Sequence, residues 1–435
     1  MILKKHELLH IPNWIAGLQW FFFIFANIIV IPITVGEAFE LSPTAISSMI
    51  QFSFIVTGLA CMIQAFIGHH RPVLEGQSGL WWGIFLTLVT TATAQGMPLH
   101  VLGGSLALGV IISGAMTILI GAIGLGPFFA RLFKPGVMGV FVLLLGFTLI
   151  QIFLKGMLGL PFGGTDEGAL IDLPVASLAI FIALLVMVIS IKSPARIRSY
   201  ALLIGMVLGW LLHYLIFGSE ASDNGGSTSY MLFPLGPLTW DTGVVLTAVL
   251  AGLLNLTNTF GALKGSDVFY DQPTTNKQYG ASLAITGAAN VASGFFGLVP
   301  YAPYVSSIGF LRQTGIYDRL PFFIGSFLFF LMGIIPPVGS FFTLLPLSIG
   351  SAVLFVAYLQ LFLSSFDFLK QITLHSTNVY RVAIPIFVGG MIMTFPPSYF
   401  ASFPVMLQPF LSNGLLVGIV LAVILENIID WEKVT

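Results

Sequence analysis

The chain has 435 residues, of which 57% are hydrophobic and only 8% charged, with mean hydropathy +1.00 and a formal net charge of -1. Soluble domains carry about 25% charged residues, so this composition excludes a water-soluble enzyme, and a nucleic-acid binder would need a basic patch that is missing. The single cysteine, Cys61, excludes an intrachain disulfide and reads as a small buried residue in an apolar run.

Lys4 and Lys5 precede a long apolar segment without a small-residue cleavage site, so that segment reads as a first membrane span rather than a signal peptide. Beside them, His6-Glu7-Leu8-Leu9-His10 matches the HExxH zinc-protease pattern, which needs two His on one helical face and a Glu base. No distant carboxylate motif offers a third ligand. The run reads as an amphipathic lead-in, with a membrane zinc metalloprotease as the remote alternative and no metal site expected.

A span takes roughly 20 apolar residues. On that length, about fourteen candidates start near Trp14, Thr44, Pro72, Leu99, Pro135, Leu173, Arg198, Gly243, Gly280, Pro300, Leu320, Thr343, Val379 and Leu411. With the N-terminus inside, all but Lys155 of the 16 Lys and Arg residues fall in gaps on the inner face, from Arg71 and Arg131 to Arg381 and Lys433. This positive-inside pattern predicts a multi-pass cell-membrane protein with both termini in the cytoplasm.

Two halves with an odd number of spans each enter the membrane in opposite senses, the inverted-repeat plan of secondary transporters. Segment 3 opens Arg71-Pro72-Val73-Leu74-Glu75-Gly76-Gln77-Ser78-Gly79, and segment 10 opens Val299-Pro300-Tyr301-Ala302-Pro303-Tyr304-Val305-Ser306-Ser307. Pro disfavours helix at the preceding residue and lacks an N–H, so both stretches are predicted to be extended. Ser78 and Ser306 are then good N-caps for the helices that follow. The predicted fold is all-α, about fourteen transmembrane segments in a 7+7 inverted repeat, with short extended stretches in segments 3 and 10.

Glu75 is the notable residue of this pair, because an ionisable group deep in lipid is costly and by default functional. If residues 71 to 75 were helical, Glu75 would lie only about 6 Å deeper than Arg71. Extended, they reach roughly 13 Å, close to the half-thickness of the hydrocarbon core, about 15 Å. Unpaired N–H groups of the two half-helices would meet there, suiting a planar molecule with carbonyl oxygens or an anion. The alternative is that Glu75 pairs with Arg71, His69 or His70 near the inner face.

The stretch from Val299-Pro300 through Tyr304-Val305-Ser306-Ser307-Ile308-Gly309 to Thr314-Gly315 resembles the signature of the nucleobase–ascorbate transporter (nucleobase:cation symporter-2) family, which includes uracil and xanthine permeases. Gly17-Leu18-Gln19 resembles the family's first-span motif, Pro72 to Ser78 its third-span motif, and Leu254 to Leu263 its eighth span. The resemblance implies a core domain (residues 1–125 and 241–340, segments 1–4 and 8–11) and a gate domain (126–240 and 341–435, segments 5–7 and 12–14). It also implies a substrate site at Asn255, Thr259, Ser78, Gly79, Tyr304, Val305, Ser306, Ser307 and Gln19. Tyr304 matches a tyrosine beside the substrate in uracil permeases. Other positions depart from the family. Trp20 replaces a His, Asn255 the eighth-span Glu, Thr259 a His, Ser306 the tenth-span Glu or Gln, Ser307 an Asn, and Gly79 an aromatic.

The function expected is secondary transport of a small planar nucleobase, purine or pyrimidine (uracil or xanthine, for example), by proton symport and alternating access. No cofactor is expected beyond the coupling proton, and Glu75 is the proton-coupling candidate in place of the missing eighth-span acid. A homodimer through the gate domain is the expected assembly. Asn offers both donor and acceptor to a lactam edge, while interhelical packing is the plainer use of Ser, Thr and Asn in membranes. The main alternative is a transporter of the same scaffold for a small anion.

Overall fold

A computed structural model describes residues 10–160, 169–198, 200–218, 230–335 and 344–431. In lipid, every backbone polar group needs an internal partner, which favours helices throughout. Seven helical stretches are long and apolar enough to cross a membrane, and five shorter apolar helices accompany them. With a less apolar helix, Asn276–Phe296, and one strand–helix segment, the described residues form fourteen segments.

In chain order the first half runs α1 (Ile11–Ile28), α2 (Val30–Ala38), α3 (Pro43–Phe66), β1 (Glu75–Gln77), α4 (Gly79–Ala94), α5 (Leu99–Ala122), α6 (Gly126–Leu132), α7 (Pro135–Met157), α8 (Leu173–Lys192), α9 (Ala195–Arg198) and α10 (Ala201–Phe217). The second half runs α11 (Thr242–Ser266), α12 (Asn276–Phe296), β2 (Tyr301–Pro303), α13 (Ser306–Thr314), α14 (Arg319–Ile334), α15 (Leu347–Tyr358), α16 (Gln360–Leu369), α17 (Tyr380–Ile392), α18 (Gln408–Leu411) and α19 (Gly414–Ile428). Pro32 lies one turn beyond Ile28 and has no N–H to offer its carbonyl, which accounts for the break between α1 and α2. The segment expected near Thr343 begins among residues outside the described set; its helix starts at Leu347.

The helices pack in two sets. In one, α5 packs on α11 and α12, and α14 packs on α1 and α3. In the other, α7 packs on α15, α16 and α19, α8 packs on α10 and α15, and α17 packs on α19. Small residues set the close approaches within the first set. A Cβ on Gly114 would lie 2.8 Å from Gly287 O, and one on Gly287 would lie 2.6 Å from Ile118 N. A Cβ on Gly325 would come 2.6 Å from Gly17 O. Small residues matter here because helix association in lipid depends on close backbone packing rather than on a hydrophobic driving force.

The two sets touch where α4 crosses α7. Trp82 packs edge-on to Phe153 at 5.4 Å, and a Cβ on Gly79 would meet Leu149 at 2.7 Å. At the far end of α4, Gln95 Nε2 donates to Gln408 Oε1 (2.5 Å) and the Thr91 and Ser412 hydroxyls lie 3.2 Å apart. At the other end of the molecule, Gln19 Nε2 donates to the Tyr200 hydroxyl (2.8 Å). Replacing Gly287 with Val should therefore force α12 off α5, at a cost of about 2 kcal/mol. The check is thermal unfolding of the detergent-solubilised protein, where an unchanged midpoint would contradict the seam.

Candidate functional site

β1 and β2 pair antiparallel, with Glu75 opposite Pro303, Gly76 opposite Ala302 and Gln77 opposite Tyr301. Two flanking bonds extend the ladder: Ser78 N donates to Pro300 O (2.7 Å) and Tyr304 N to Leu74 O (2.8 Å). The prolines that prevent helix thus create two short strands that satisfy each other, and α4 and α13 start on either side of them. Every residue of both strands is buried.

Side chains alternate across a strand, and that alternation decides where Glu75 points. Glu75 and Gln77 lie on the side of α3 and α12, while Gly76 lies on the opposite side, where a Cβ would meet Ile28 at 2.7 Å and Tyr304 at 3.1 Å. Glu75 Oε2 accepts from Gln64 Nε2 (2.9 Å) and Oε1 from the Thr286 hydroxyl (2.7 Å). Gln77 Nε2 donates to the Ser53 hydroxyl (2.6 Å). Glu75 is 0% exposed, and the ion pairs among the described residues do not include it.

The alternative pairing of Glu75 with Arg71, His69 or His70 is therefore corrected. Arg71 Nη1 donates to Asp267 Oδ1 (2.6 Å), to the Ser266 hydroxyl (2.8 Å) and to Leu263 O (3.0 Å), and its guanidinium lies 4.7 Å from the Tyr270 ring centroid. His69 Nδ1 accepts from Arg71 N (3.1 Å). Burial, with Arg71 nearby, holds its imidazole well below the usual range, at about 3, so it supplies no cation. Arg71 is a strap between the α3–β1 loop and the end of α11.

Asn255 holds the strand pair to α11. Its Oδ1 accepts from the Ser78 hydroxyl (2.7 Å) and from Asn258 Nδ2 (2.9 Å), while its Nδ2 donates to Tyr301 O (2.9 Å). Asn255 is thus a both-ways linker, and Ser78 spends its hydroxyl on Asn255. Ser78 is the N-cap residue of α4 by position, yet its side chain makes no cap bond. The expectation that Ser306 caps α13 is corrected: the N-cap is Val305, and Ser306 is the first helical residue. The α13 amides of Ser307 and Ile308 already donate to Tyr304 O and Val305 O (both 3.1 Å), so this terminus offers fewer open N–H groups than expected. Among the described residues the Ser306 hydroxyl has no hydrogen-bond partner.

A cavity of about 690 Å³ reaches from this point toward the Arg- and Lys-bearing end of the helices. Its lining includes Gln19, Phe23, Asn27, Val305, Ser306 and Tyr358. Of the residues singled out in the sequence, Gln19, Val305 and Ser306 line the cavity. Tyr304, behind them, donates its hydroxyl to Gln77 O, and the Ser307 hydroxyl accepts from Leu74 N (3.0 Å). Ser78 and Asn255 lie in the bonded layer beneath. Thr259 is buried one turn along α11, and Gly79 backs onto Leu149 of α7. Glu75 lies behind the strands, away from the cavity.

Asn27, Gln77, Asn258 and Tyr358 were missed in the sequence. Tyr358 and Asn27 face each other across the two helix sets (hydroxyl to Oδ1, 3.4 Å), and nothing local marks either residue. Asn258 could have been found as the i+3 neighbour of Asn255 on one helical face. Substituting Asn255 with Asp should replace the donor to Tyr301 O with an acceptor, at about 1–3 kcal/mol. Thermal unfolding checks this, and an undiminished midpoint would show that the linkage does not hold the strands.

A model of a permease family matches residues 13–398. Among curated proteins, the putative purine permease YwdJ of Bacillus subtilis (strain 168) is 27% identical over 433 residues, covering 96% of each chain. The xanthine permease of the same organism is 25% identical, covering 94% of this chain and 92% of its own. The uric acid transporter UacT of Escherichia coli (strain K12) is 24% identical, covering 95% and 85%. Among solved structures, the transmembrane domain of the cyanobacterium bicarbonate transporter BicA superposes with TM-score 0.62 at 17% identity, covering 95% of this chain and 98% of that one. SLC26A9 superposes with TM-score 0.59 at 13% identity, covering 97% and 66%. At such identities the structural likeness shows the fold alone.

Proposed function

Since the chain belongs to the permease family matched over residues 13–398, we propose that it carries a purine nucleobase across the cell membrane as a secondary transporter. It is a transport protein and not an enzyme. The HExxH run falls outside the described residues except for His10. The observation that carries the purine reading is the buried β1–β2 pair beside a cavity whose lining includes polar and aromatic side chains: Gln19, Asn27, Ser306 and Tyr358 carry hydrogen-bonding groups, and Phe23 a ring face. A planar oxopurine, with its lactam edges and π-surface, matches that combination. Relatives named as purine, xanthine and uric acid permeases favour it over uracil or a small inorganic anion.

In this reading α1, α3–α5 and α11–α14 form the core that carries the site, and α7, α8, α10, α15–α17 and α19 form the gate. Alternating access is movement of one set against the other. The Gln95–Gln408 and Thr91–Ser412 contacts close one side while the cavity opens on the other. The Lys and Arg distribution supports a cytoplasmic position for the open side and both termini. A homodimer joined through the gate belongs to the same reading, and native mass spectrometry in lipid reads its mass.

Coupling to protons is assigned to Glu75. A carboxyl held by two neutral side chains, Gln64 and Thr286, and paired with no cation among the described residues can take up or release a proton without breaking an ion pair. It is a positioning group for the strand pair rather than a substrate ligand. Glu75→Gln in proteoliposomes should abolish purine accumulation driven by a pH gradient while leaving purine binding within about threefold, a difference under about 1 kcal/mol. Unchanged accumulation with unchanged pH dependence would remove Glu75 from coupling. Absence of any purine uptake by the wild-type protein would overturn the transport reading itself.

A further inference from the structure

We propose that the coupling proton reaches Glu75 through the buried interface of α3 and α12, entering at the end of α12 that bears Lys277, and not through the substrate cavity. This rests on the reading of Glu75 as the coupling group. The side chains that carry the route lie a turn apart on one face of α12: Gln278, Ser282 and Thr286, with Thr275 as the N-cap before them. Residues four apart on a helix are neighbours, about 5–6 Å between Cβ atoms, a gap that one water spans. Exposure falls along the stripe. Thr275 is exposed, Gln278 half-buried, and Ser282 and Thr286 buried. The Thr286 hydroxyl donates to Glu75 Oε1 (2.7 Å), and Gln64 Nε2 donates to Glu75 Oε2 (2.9 Å) and to Ser282 O (3.1 Å). At the mouth, Gln278 Nε2 donates to His69 O (3.0 Å). The lining of the cavity of about 690 Å³ includes none of these residues; it lies on the other side of the strands.

Three buried polar atoms along this stretch have no hydrogen-bond partner among the described residues: Ser282 Oγ, Gln64 Oε1 and His69 Nε2. A buried polar group left unsatisfied costs stability, so packing alone would favour Ala at position 282. Water passing along the stripe would find in these atoms the polar groups it needs. Beyond Glu75 the stripe is closed. Asn290 Oδ1 accepts from Tyr301 N (2.5 Å), and the Tyr301 and Thr57 hydroxyls lie 3.0 Å apart. Gly68 keeps the Gln64 amide uncovered, since a Cβ there would lie 2.0 Å from Gln64 Oε1 and 2.9 Å from Ile285. The last step balances simply. The Thr286 proton moves onto Glu75 Oε1, a hydronium proton replaces it on the Thr286 oxygen, and a neutral carboxyl and a water remain. The titratable groups around Glu75 are few. α3 contributes Cys61, whose thiol donates to Glu75 O (3.3 Å), and β2 contributes Tyr301. α12 faces the carboxyl with the Thr286 hydroxyl, and α1 meets the far side of β1 through Ile28. Arg71 is committed to Asp267.

The experiment uses the full chain in proteoliposomes loaded with a pH-sensitive dye and compares two modes of xanthine movement. Accumulation driven by a pH gradient needs a proton delivered in every cycle. Exchange of labelled for unlabelled xanthine at equal pH returns the carrier loaded and needs no net proton. Ser282→Ala removes the unpartnered hydroxyl, and Gly68→Ala places a methyl against the Gln64 amide. Each should slow driven accumulation and its dye signal by about tenfold, less than the loss of a positioned proton donor because water stands in for the missing group. Exchange should stay at the wild-type rate, and Ser282→Ala should keep the unfolding midpoint. Wild-type accumulation in both variants would overturn the route while leaving Glu75 as the coupling group. Equal slowing of exchange and accumulation would reduce both positions to packing and overturn it as well. Driven accumulation that survives Glu75→Gln would overturn the Glu75 reading and the route with it. Absence of any xanthine movement by the wild type would overturn the transport reading and this inference together.

Discussion

The pairing of two three-residue strands in the middle of an otherwise helical protein is the contact on which the rest depends. Extended backbone inside a membrane exposes N–H and C=O groups that lipid cannot satisfy. Here the two halves of the chain resolve this for each other, since β1 and β2 exchange backbone bonds across the repeat. Neither half could hold its interrupted segment alone. Prolines at 72, 300 and 303 make the breaks, and Asn255 fastens the result to α11 through both ends of one amide.

From that pairing follow the positions of the candidate functional groups. Strand alternation sends Glu75 and Gln77 toward α3 and α12 and leaves the Gly76 side open to Tyr304 and Ile28. The same geometry separates the proposed coupling carboxyl from the proposed substrate cavity. The carboxyl lies in the scaffold, bonded to Gln64 and Thr286, and the cavity lies on the other side of the strands. Any coupling between them is transmitted through the strand pair rather than by direct contact of Glu75 with substrate. Glycine seams allow α5 and α12 to pack closely enough to act as one body, which suits a unit that moves whole.

The segment pattern was legible because lipid imposes length and charge rules on sequence. The two broken segments were legible because Pro and Gly punctuate them. The side on which Glu75 falls was not, since it depends on strand register set by residues more than 200 positions away, Glu75 opposite Pro303. The partner of Arg71 was hidden for a similar reason. Asp267 and the Leu263 carbonyl reach it from the end of α11, and loop charges alone do not say which pair will meet. Ser306 looked like a cap because Ser favours that position; the chain turns one residue earlier, at Val305, and leaves the hydroxyl facing the cavity. Asn27 and Tyr358 carried no local signal, because they acquire meaning only when the two helix sets face each other.

The claim that this strand-pair site recognises a purine is tested most directly by thermal unfolding of the purified protein with xanthine or urate against bicarbonate at matched ionic strength. A ligand that binds only the folded state stabilises it in proportion to the logarithm of its concentration over its Kd. The account expects a saturable upward shift with the oxopurines and none with bicarbonate. A shift with bicarbonate and none with either oxopurine would contradict it.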